Sequence, residues 1–226
     1  MNALKETKKK HLLAILKYLY LHNSSTMNEL VENLQLSQPS IRNMVRTLQE
    51  KQLIQEVGND LSSGGRCPTR FALNEKNYLI LCLYVQVDKV IYQLRNFNEI
   101  KKEGILFYQS EDELKKTIKD LIDQEKIHCC QIAVEGIVYE DVYVTDHHNV
   151  LEKHQWLKDI KKEINIPLQL QNDVKMIHQG CYFTYQQDST YYLYINEVGI
   201  GSSYFYKDEP LYGRSGIMGE IGLISL

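Results

Sequence analysis

Two short helical patterns joined by a tight turn, in residues 26–52, constrain the fold of this chain more than any other feature. Thr26 precedes the first apolar-periodic run and Glu29 follows three residues later, the spacing of a capping box at a helix start. After the turn, Ser37 is placed to cap a second helix, and Pro39 lies in its first turn, where a missing N–H costs nothing. Two short helices with so brief a connection form the helix-turn-helix pattern.

The segments on either side extend this pattern into a domain. Residues 7–22 predict a helix whose apolar face repeats at helical spacing, formed by Leu12, Ile15, Leu16 and Leu19. Residues 53–57 and 69–73 predict two strands joined by a glycine-rich segment, which is a hairpin directly after the second helix. We therefore predict a winged helix-turn-helix domain over residues 1–74.

The second helix of such a domain carries the candidate DNA-reading residues, because its first turns enter the major groove. Arg, Asn and Gln make paired hydrogen bonds to base edges, and the outward positions are Gln38, Ser40, Arg42, Asn43 and Arg46. Gly65 and Arg66 stand at the predicted wing tip, where an arginine suits a narrow minor groove. The alternatives are the solvated face of an ordinary three-helix bundle and a surface loop with an incidental arginine.

The charge distribution agrees with a polyanionic partner for the N-terminal part. Residues 1–73 hold ten Lys or Arg against six Asp or Glu, whereas the remainder holds sixteen against twenty-three. A basic small domain beside a larger acidic one favours double-stranded DNA as the partner of the former.

Composition also limits the compartment and the cofactors. No apolar run reaches the ~18 residues of a membrane span, and the charged N-terminus is unlike a secretory signal, so we expect a cytoplasmic protein without a membrane partner. The five cysteines contain no CxxC pair and predict free thiols in a reducing compartment, with no metal and no cofactor. For the adjacent Cys129 and Cys130, a metal or redox site is the alternative to a buried strand.

The rest of the chain predicts an α/β fold. Three consecutive strands form a meander, and helices then alternate with buried strands. The predicted strands are 78–87, 89–97, 99–109, 128–138 and 167–170, and the predicted helices are 111–126, 152–164 and 173–186.

Three stretches carry a resemblance to a known family: SSGGRCPTRFALN at residues 62–74, WLKDIKKEINIPLQLQNDVKMIHQG at 156–180, and YYLYINEVGIGSSYFYKDEPLYGRSGIMGEIG at 191–222. They resemble the ROK family of repressors, open reading frames and sugar kinases. The resemblance implies a ribonuclease-H-like (actin-like ATPase) fold for residues 75–226. Its first lobe would span about 75–188, and about 189–226 would begin a second lobe that is incomplete at residue 226.

The same resemblance implies a sugar site. Asp173 matches the family's catalytic base on the sugar hydroxyl, Asn172 matches a neighbour that holds the sugar, and Glu220 matches the glutamate of the E-x-G-H motif. As an alternative from the residues themselves, Asn172 and Asp173 cap the helix that starts near residue 174, and Glu220 lies in a loop without a ligand.

Departures from the family pattern argue against catalysis. No glycine occurs between Gly65 and Gly104, so the glycine-rich turn that would hold phosphates between the first two strands is missing. Leu223 stands where the family has a zinc-binding histidine. We therefore expect no catalytic residue, no zinc site and no enzyme activity, with a sugar kinase as the remote alternative.

These inferences combine into a sequence-specific, DNA-binding transcriptional regulator, expected to repress genes of sugar metabolism. The resemblance implies that its C-terminal domain forms a homodimer and senses a sugar or a sugar phosphate. The alternative is a C-terminal domain that serves only assembly, because tyrosine is enriched at interfaces and many tyrosines cluster here: Tyr182, Tyr185, Tyr191, Tyr192, Tyr194, Tyr204 and Tyr206.

Overall fold

The computed structural model of the 226-residue chain forms two compact units. It describes residues 2–59, 67–147, 150–185, 188–197, 199–207, 209–214 and 216–221. The first unit comprises Met1–Tyr78 with Asn96–Glu99, and the second comprises Leu79–Arg95 with Ile100–Leu226. The domain boundary at residue 74 and the lobe limits stay predictions. No helix among the described residues is long and apolar enough to cross a membrane.

The first unit contains three helices and a small antiparallel sheet. Its elements are α1 (Asn2–His22), β1 (Ser24–Thr26), α2 (Met27–Leu34), α3 (Gln38–Glu50), β2 (Ile54–Asn59) and β3 (Thr69–Leu73), followed by a 3₁₀ turn at Glu75–Asn77. The strand order is β1–β3–β2. The sequence did not predict β1, because a strand of three residues shows no alternation and forms only by pairing with β3.

Side-chain caps begin the two short helices where the sequence predicted them. Thr26 Oγ1 accepts from the Glu29 amide at 3.3 Å, and Glu29 Oε2 accepts from the Thr26 amide at 2.9 Å. This reciprocal pair is a capping box. Ser37 Oγ accepts from the Ser40 amide at 3.4 Å and caps α3 in the same way.

The core of the first unit lies between the helices and β3. Of the apolar face predicted for the first helix, Ile15 and Leu19 are buried, whereas Leu12 and Leu16 are partly buried. The other buried residues of this core include Leu30, Ile41, Met44, Val45, Leu48, Phe71 and Leu73. Because one face of α3 packs in this core, its opposite face is exposed to solvent.

Arg70 ties β3 to the start of α2. Its Nη2 lies 3.1 Å from Glu29 Oε2 and its Nη1 lies 3.3 Å from Glu29 Oε1. Its Nε also donates to Ser24 Oγ at 3.2 Å. Glu29 therefore serves at once in a helix cap and in a forked ion pair with a strand.

We predict that Glu29→Gln destabilises the first unit by about 1 kcal/mol at neutral pH. The hydrogen bond from the Thr26 amide and the Arg70 charge lower the pKa of Glu29 below its ordinary 4.5. The stabilisation by a carboxyl with a lowered pKa is complete above about pH 4.5 and is lost as the pH falls through the folded-state pKa.

Urea unfolding of Glu29→Gln and wild type at about pH 7 and about pH 3 tests this prediction. The difference in free energy of unfolding should shrink at the lower pH. Glu32→Gln, on an exposed position of the same helix, serves as the control. An equal loss at both pH values would contradict the role of the Glu29 charge.

A five-stranded sheet forms the centre of the second unit, which confirms the α/β class. Its strands are β4 (Ile80–Val85), β5 (Lys89–Arg95), β6 (Ile100–Phe107), β7 (Cys129–Val134) and β11 (Leu168–Asn172), in the order β11–β7–β4–β5–β6. Strands β4, β7 and β11 are parallel, whereas β5 and β6 continue β4 as the predicted antiparallel meander.

Two helices cover one face of this sheet and enclose the main core. They are α4 (Glu111–Asp123) and α5 (Trp156–Glu163). Their buried residues pack with alternate strand residues, and the core includes Leu81, Leu83, Val85, Leu114, Ile118, Ile132, Trp156, Leu157 and Ile160. Cys130 is buried in β7, and all five cysteines are free thiols.

The small sheet that follows β7 differs from two sequence predictions. It is antiparallel and consists of β8 (Ile137–Tyr139), β9 (Val142–His147) and β10 (Val150–His154). The buried strand predicted over 128–138 was wrong in its length, because Gly136 turns the chain at φ 100° and a Cβ there would lie 2.3 Å from the Val144 carbonyl oxygen. The helix predicted over 152–164 begins only at Trp156, since residues 152–154 pair with β9.

Helix α6 (Asp173–Tyr185) and a hairpin complete the second unit. The hairpin strands are β12 (Ser189–Ile195) and β13 (Ile200–Tyr206), with a short β14 (Glu209–Pro210) beside β13. His178 of α6 is buried against them, with Nδ1 at 2.9 Å from Ser203 Oγ and Nε2 at 2.8 Å from Thr190 Oγ1. Both ring nitrogens therefore have partners on the hairpin.

Candidate functional site

The exposed face of α3 gathers most of the candidate DNA-reading residues. Gln38, Arg42 and Arg46 follow each other at intervals of four residues and so lie above one another on the helix surface. These three side chains and Asn43 are exposed. Ser40 is half-buried, and its hydroxyl lies 2.9 Å from Ser37 Oγ within the helix cap.

One of these cations already has a partner on the helix. Arg46 Nε donates to Glu50 Oε1 at 2.9 Å, with the two side chains 79% and 61% exposed. A surface pair at this spacing contributes only about 0.3–0.5 kcal/mol. Its loss would therefore cost little if Arg46 moved to a phosphate or a base edge.

The predicted wing residues Gly65 and Arg66 lie outside the described residues. The strands that flank them are described, and β2 pairs with β3 along most of its length. Residues 55–59 of β2 are exposed.

A second candidate site lies where the parallel strands of the second unit end. Val85 of β4 and Asn172 of β11 both pair with Val134 of β7, so the three strands end side by side. Ligands of open α/β sheets bind at this carboxyl edge. The residues that come next along the chain, Gln86, Glu135 and Asp173, are therefore neighbours.

Tyr84 connects two carboxylates at this edge. Its hydroxyl donates to Glu135 Oε1 at 2.7 Å and lies 3.3 Å from Asp173 Oδ2. Gln86 Nε2 donates to the same Glu135 oxygen at 3.1 Å. Burial, followed by the hydrogen bond to Glu135, raises the pKa of Tyr84, so the phenol keeps its proton and remains a donor.

The side chains of Asn172 and Asp173 also accept hydrogen bonds from backbone amides in the first turn of α6. Asn172 Oδ1 accepts from the Lys175 amide at 3.0 Å, and Asp173 Oδ1 accepts from the Val174 amide at 2.8 Å. Asn172 Nδ2 donates to the Gly136 carbonyl oxygen at 2.9 Å. The helix-capping alternative is thus present in the structure, while the second Asp173 oxygen faces Tyr84.

The electrostatic surroundings of Asp173 disfavour its charge. Burial is the largest cause that raises its pKa above the ordinary 3.8, and Glu135 raises it further, whereas the Val174 amide lowers it. A carboxyl with a raised pKa at the end of a strand has the character of a general base. Here, however, that carboxyl already accepts hydrogen bonds from other groups of the protein.

We predict that Asp173→Asn raises the melting temperature at neutral pH. Because the folded-state pKa of Asp173 lies above the unfolded 3.8, the contribution of this residue to stability is most favourable below about pH 3.8 and falls as the pH rises through the folded-state pKa. The amide carries no charge and escapes this loss. Calorimetric melts at about pH 4 and about pH 7 should show a gain that is larger at the higher pH.

Asp188→Asn, at an exposed aspartate of the second unit, is the matched control for this prediction. A variant gain that does not depend on pH, or a loss at both pH values, would show that the burial of the Asp173 charge is not a net cost.

Glu220 is held in a segment that packs against β13. The backbone amide and hydroxyl of Ser202 donate to the Gly219 carbonyl oxygen at 3.0 and 2.9 Å. Gly219 has φ 101°, and a Cβ there would lie 2.1 Å from the Ser202 carbonyl oxygen, so only glycine fits. Burial raises the pKa of Glu220, and the Lys175 charge partly offsets this rise.

Lys175 is a buried cation at this place. It is 1% exposed, and its Nζ donates to the Gly216 carbonyl oxygen at 3.1 Å. Burial lowers its pKa and Glu220 raises it. The structure thus places Glu220 in an electrostatic interaction with Lys175 and Asp173, although Glu220 is far from the other two in the sequence.

Four residues of this site were missed by the sequence analysis: Tyr84, Gln86, Glu135 and Lys175. The alternation in β4 does place Tyr84 on the face opposite the buried Leu81 and Leu83, and Glu135 directly follows a buried strand. These signals predict on which face and at which edge of the sheet the two residues lie, but they do not predict which side chains the residues contact.

The connections β4–β5 and β12–β13 form hydrogen bonds within the protein. The β4–β5 connection carries side chains, with the Gln86 amide bonded to the Lys89 carbonyl oxygen at 2.9 Å. In the β12–β13 turn, Asn196 Oδ1 accepts from the Gly199 amide at 2.8 Å, and Glu197 is exposed. The Gly199 amide is therefore not free for an anion. Leu223 lies outside the described residues.

The profile of the ROK family matches residues 102–226, which is more than half of the chain. The chain belongs to the ROK family.

Individual relatives are similar to both units. The xylose repressor of Staphylococcus xylosus is 24% identical over 229 residues, covering 92% of this chain and 58% of the relative. A crystal structure of a ROK family transcriptional regulator, homolog of the E. coli MLC protein, matches with a TM-score of 0.71 at 19% identity, covering 88% of this chain and 55% of the other. ROK hexokinase from Thermus thermophilus matches with a TM-score of 0.50 at 14% identity, covering 66% and 53%.

The two structural similarities show a shared fold. The chain spans a little over half the length of the repressor and the regulator that it matches. Because the same fold occurs in a regulator and in a hexokinase, the site of this chain has to decide between the two activities.

Proposed function

We propose that this chain is a sequence-specific DNA-binding transcriptional repressor whose first unit is a winged helix-turn-helix. The observation that carries the proposal is the exposed face of α3, where Gln38, Arg42, Asn43 and Arg46 stand together directly after a tight interhelical turn. The similarity to a xylose repressor over 92% of the chain supports it.

In this proposal α3 lies in the major groove. Arg42 and Arg46 read guanine, Asn43 and Gln38 read adenine, and Ser40 contacts a phosphate near the helix N-terminus. The hairpin of β2 and β3 is the wing, and it carries Gly65 and Arg66 toward a minor groove. The chain then works in the compartment that holds the chromosome, the cytoplasm.

Selection of genomic fragments by the purified chain tests the proposal. We expect a recurring motif, and, for a homodimer, two half-sites related by two-fold symmetry and separated by about 34–36 Å or a multiple of it. Recovery of fragments without any shared motif would reject sequence-specific binding. The genes next to the recovered sites would name the pathway.

The second unit, in our proposal, forms the homodimer and binds a sugar or sugar phosphate through Asn172, Asp173 and Glu220. Asn172 is buried, Asp173 and Glu220 are half-buried, and burial raises the pKa of both carboxyls; this supports the proposal, as does the name of the xylose-repressor relative. Calorimetric titration with xylose, other common sugars and their phosphates is the test, and the absence of heat throughout would remove the effector.

A second candidate function is assembly without an effector. The hairpin favours it, because one of its faces exposes apolar side chains that a partner would cover: Tyr191 59%, Leu193 47%, Ile195 64% and Ile200 47%. The other face is already in use, since the Tyr192 ring lies 5.4 Å from that of His178. A monomer in light scattering would count against this candidate.

We also propose that the chain does not transfer phosphate. Phosphoryl transfer depends on positioning and charge stabilisation. Here the β4–β5 turn has no glycine, and Asp173 is bonded to Tyr84 and to the Val174 amide. Nucleotide turnover with any hexose of a panel would overturn this part.

A further inference from the structure

A cavity of about 220 Å³ lies in the second unit beside the ends of β4 and β7. The β4–β5 turn, the start of α4, and strands β9 and β10 contribute to its wall. The side chains that determine its chemistry are Glu111, Glu135, Glu152, His154, Tyr108 and Tyr143. It shares Gln86 and Glu135 with the candidate site where the parallel strands end, but none of the residues that the family resemblance implies, Asn172, Asp173 and Glu220, lines it.

Negative charge dominates the wall of this cavity. Its three carboxylates come from three different elements, and no lysine or arginine is among the described lining residues. Glu135 is fixed by the bonds from Tyr84 and Gln86 to its Oε1. His154 lies between the other two, with a ring nitrogen 4.0 Å from Glu111 Oε2 and another 4.0 Å from Glu152 Oε2.

The carboxylates surround the cavity and do not converge on one point. Among the described residues, no group of three or more His, Cys, Asp or Glu side chains could hold a metal ion. A single metal ion needs several ligands at about 2.0–2.6 Å. A larger, polyatomic cation does not, because it can approach carboxylates on different sides of the cavity.

Fixed aromatic rings complete the wall. The Tyr143 ring stacks on His154 with centroids 4.5 Å apart, and its hydroxyl accepts from Trp156 Nε1 at 3.1 Å. The Tyr108 hydroxyl bonds the Gln86 carbonyl oxygen. Rings that are held in place beside carboxylates attract organic cations, through the ring quadrupole and through charge. They offer nothing to a phosphate, which the carboxylates repel.

We infer that this cavity binds a small organic ammonium compound, of the size of an amino sugar or smaller. Its volume lies below the ~300–1,000 Å³ of pockets for drug-sized ligands, which fixes the size class. The lining selects positive over neutral and negative ligands. The inference concerns ligand binding by the second unit and is independent of DNA binding by the first unit.

Calorimetric titration of the full chain with probes of one carbon skeleton tests the charge selection. Glucosamine supplies the ammonium form, glucose the neutral form and glucose 6-phosphate the anion, with ethanolamine and choline as smaller ammonium probes. We expect at least one ammonium probe to bind roughly fivefold or more tightly than glucose, the minimum from one charge pair about 4 Å apart in water, and no binding of glucose 6-phosphate. Absence of heat with all three ammonium probes, or equal affinity for glucose, overturns the inference.

The variant Glu111→Gln combined with Glu152→Gln locates the site. Both side chains are about half exposed, so the isosteric changes keep the fold, which circular dichroism checks. Binding of the ammonium probe should weaken roughly fivefold or more. Glu125→Gln, at an exposed glutamate away from the cavity, should leave it unchanged. Unchanged binding in the double variant would overturn the assignment to this cavity.

A parallel measurement of DNA affinity separates the two proposals. Ammonium binding without DNA binding would leave the inference intact and reject the proposed function. DNA binding without ammonium binding would do the reverse.

Discussion

Replacing Arg42 and Asn43 together with alanine is expected to weaken binding to the selected operator by at least about 2 kcal/mol, or roughly thirtyfold in Kd. Both side chains lie on the exposed face of α3, and each is able to make paired hydrogen bonds to one base. Each loss should also relax the sequence preference at one position of the half-site. Fluorescence anisotropy with the operator and its single-base variants measures both effects.

The exposure of the two side chains makes this test clean. Neither belongs to the core of the first unit, so the double variant should unfold at the wild-type temperature. Arg214→Ala removes an exposed cation from the second unit and should leave the operator affinity unchanged. If the double variant and the Arg214 variant both bind like wild type, the α3 assignment fails.

Trp156→Ala is expected to cost about 3–5 kcal/mol of the free energy of unfolding, the largest effect of any substitution that we predict. The indole is 1% exposed in the core of the second unit, and its Nε1 donates to the Tyr143 hydroxyl at 3.1 Å. The truncation removes this buried volume and the hydrogen bond together. Urea unfolding followed by circular dichroism measures the loss, since Trp156 is the only tryptophan of the chain.

Two further variants show how the loss of stability depends on side-chain volume, on the N–H donor and on burial. Trp156→Phe keeps most of the volume and loses the N–H donor, so about 1–3 kcal/mol should be lost. Leu151→Ala changes a side chain that is 71% exposed in β10 and should stay within about 0.5 kcal/mol of wild type. A loss as large for Leu151 as for Trp156 would contradict the core described above.

The sequence predicted most accurately the features that depend on residues close together in the chain. The capping box of Thr26 and Glu29 and the cap at Ser37 depend on residues three positions apart, so the sequence alone indicates them. Helical spacing likewise indicated the outward positions of α3, and Gln38, Arg42, Asn43 and Arg46 are exposed as predicted. Pairing between distant residues was missed, as for β1, which forms only against β3.

The sheet of β8, β9 and β10 shows the same limit in the second unit. The helix that follows was predicted to begin at residue 152, four residues before its observed start at Trp156. Residues 152–154 pair with β9 instead, because backbone groups that pair in a sheet satisfy their hydrogen bonds there.

The site at the carboxyl ends of the parallel strands was likewise predicted only in part. The family resemblance indicated Asn172, Asp173 and Glu220. The Tyr84 hydroxyl between Glu135 and Asp173, and the buried Lys175 next to Glu220, arise only once β4, β7, β11 and α6 are assembled. Tyr84 matters for function, because its hydroxyl bonds the Asp173 carboxylate that the family resemblance would make a free base.

The most direct test of the DNA-binding claim is the ratio of two dissociation constants for the wild-type chain. One is for the selected operator and the other for a shuffled duplex of equal length and composition, both at physiological salt. We predict that the operator binds at least about 10³-fold more tightly, the lower range for specific DNA-binding proteins. Equal affinity for the two duplexes would contradict the proposal that the first unit reads a DNA sequence.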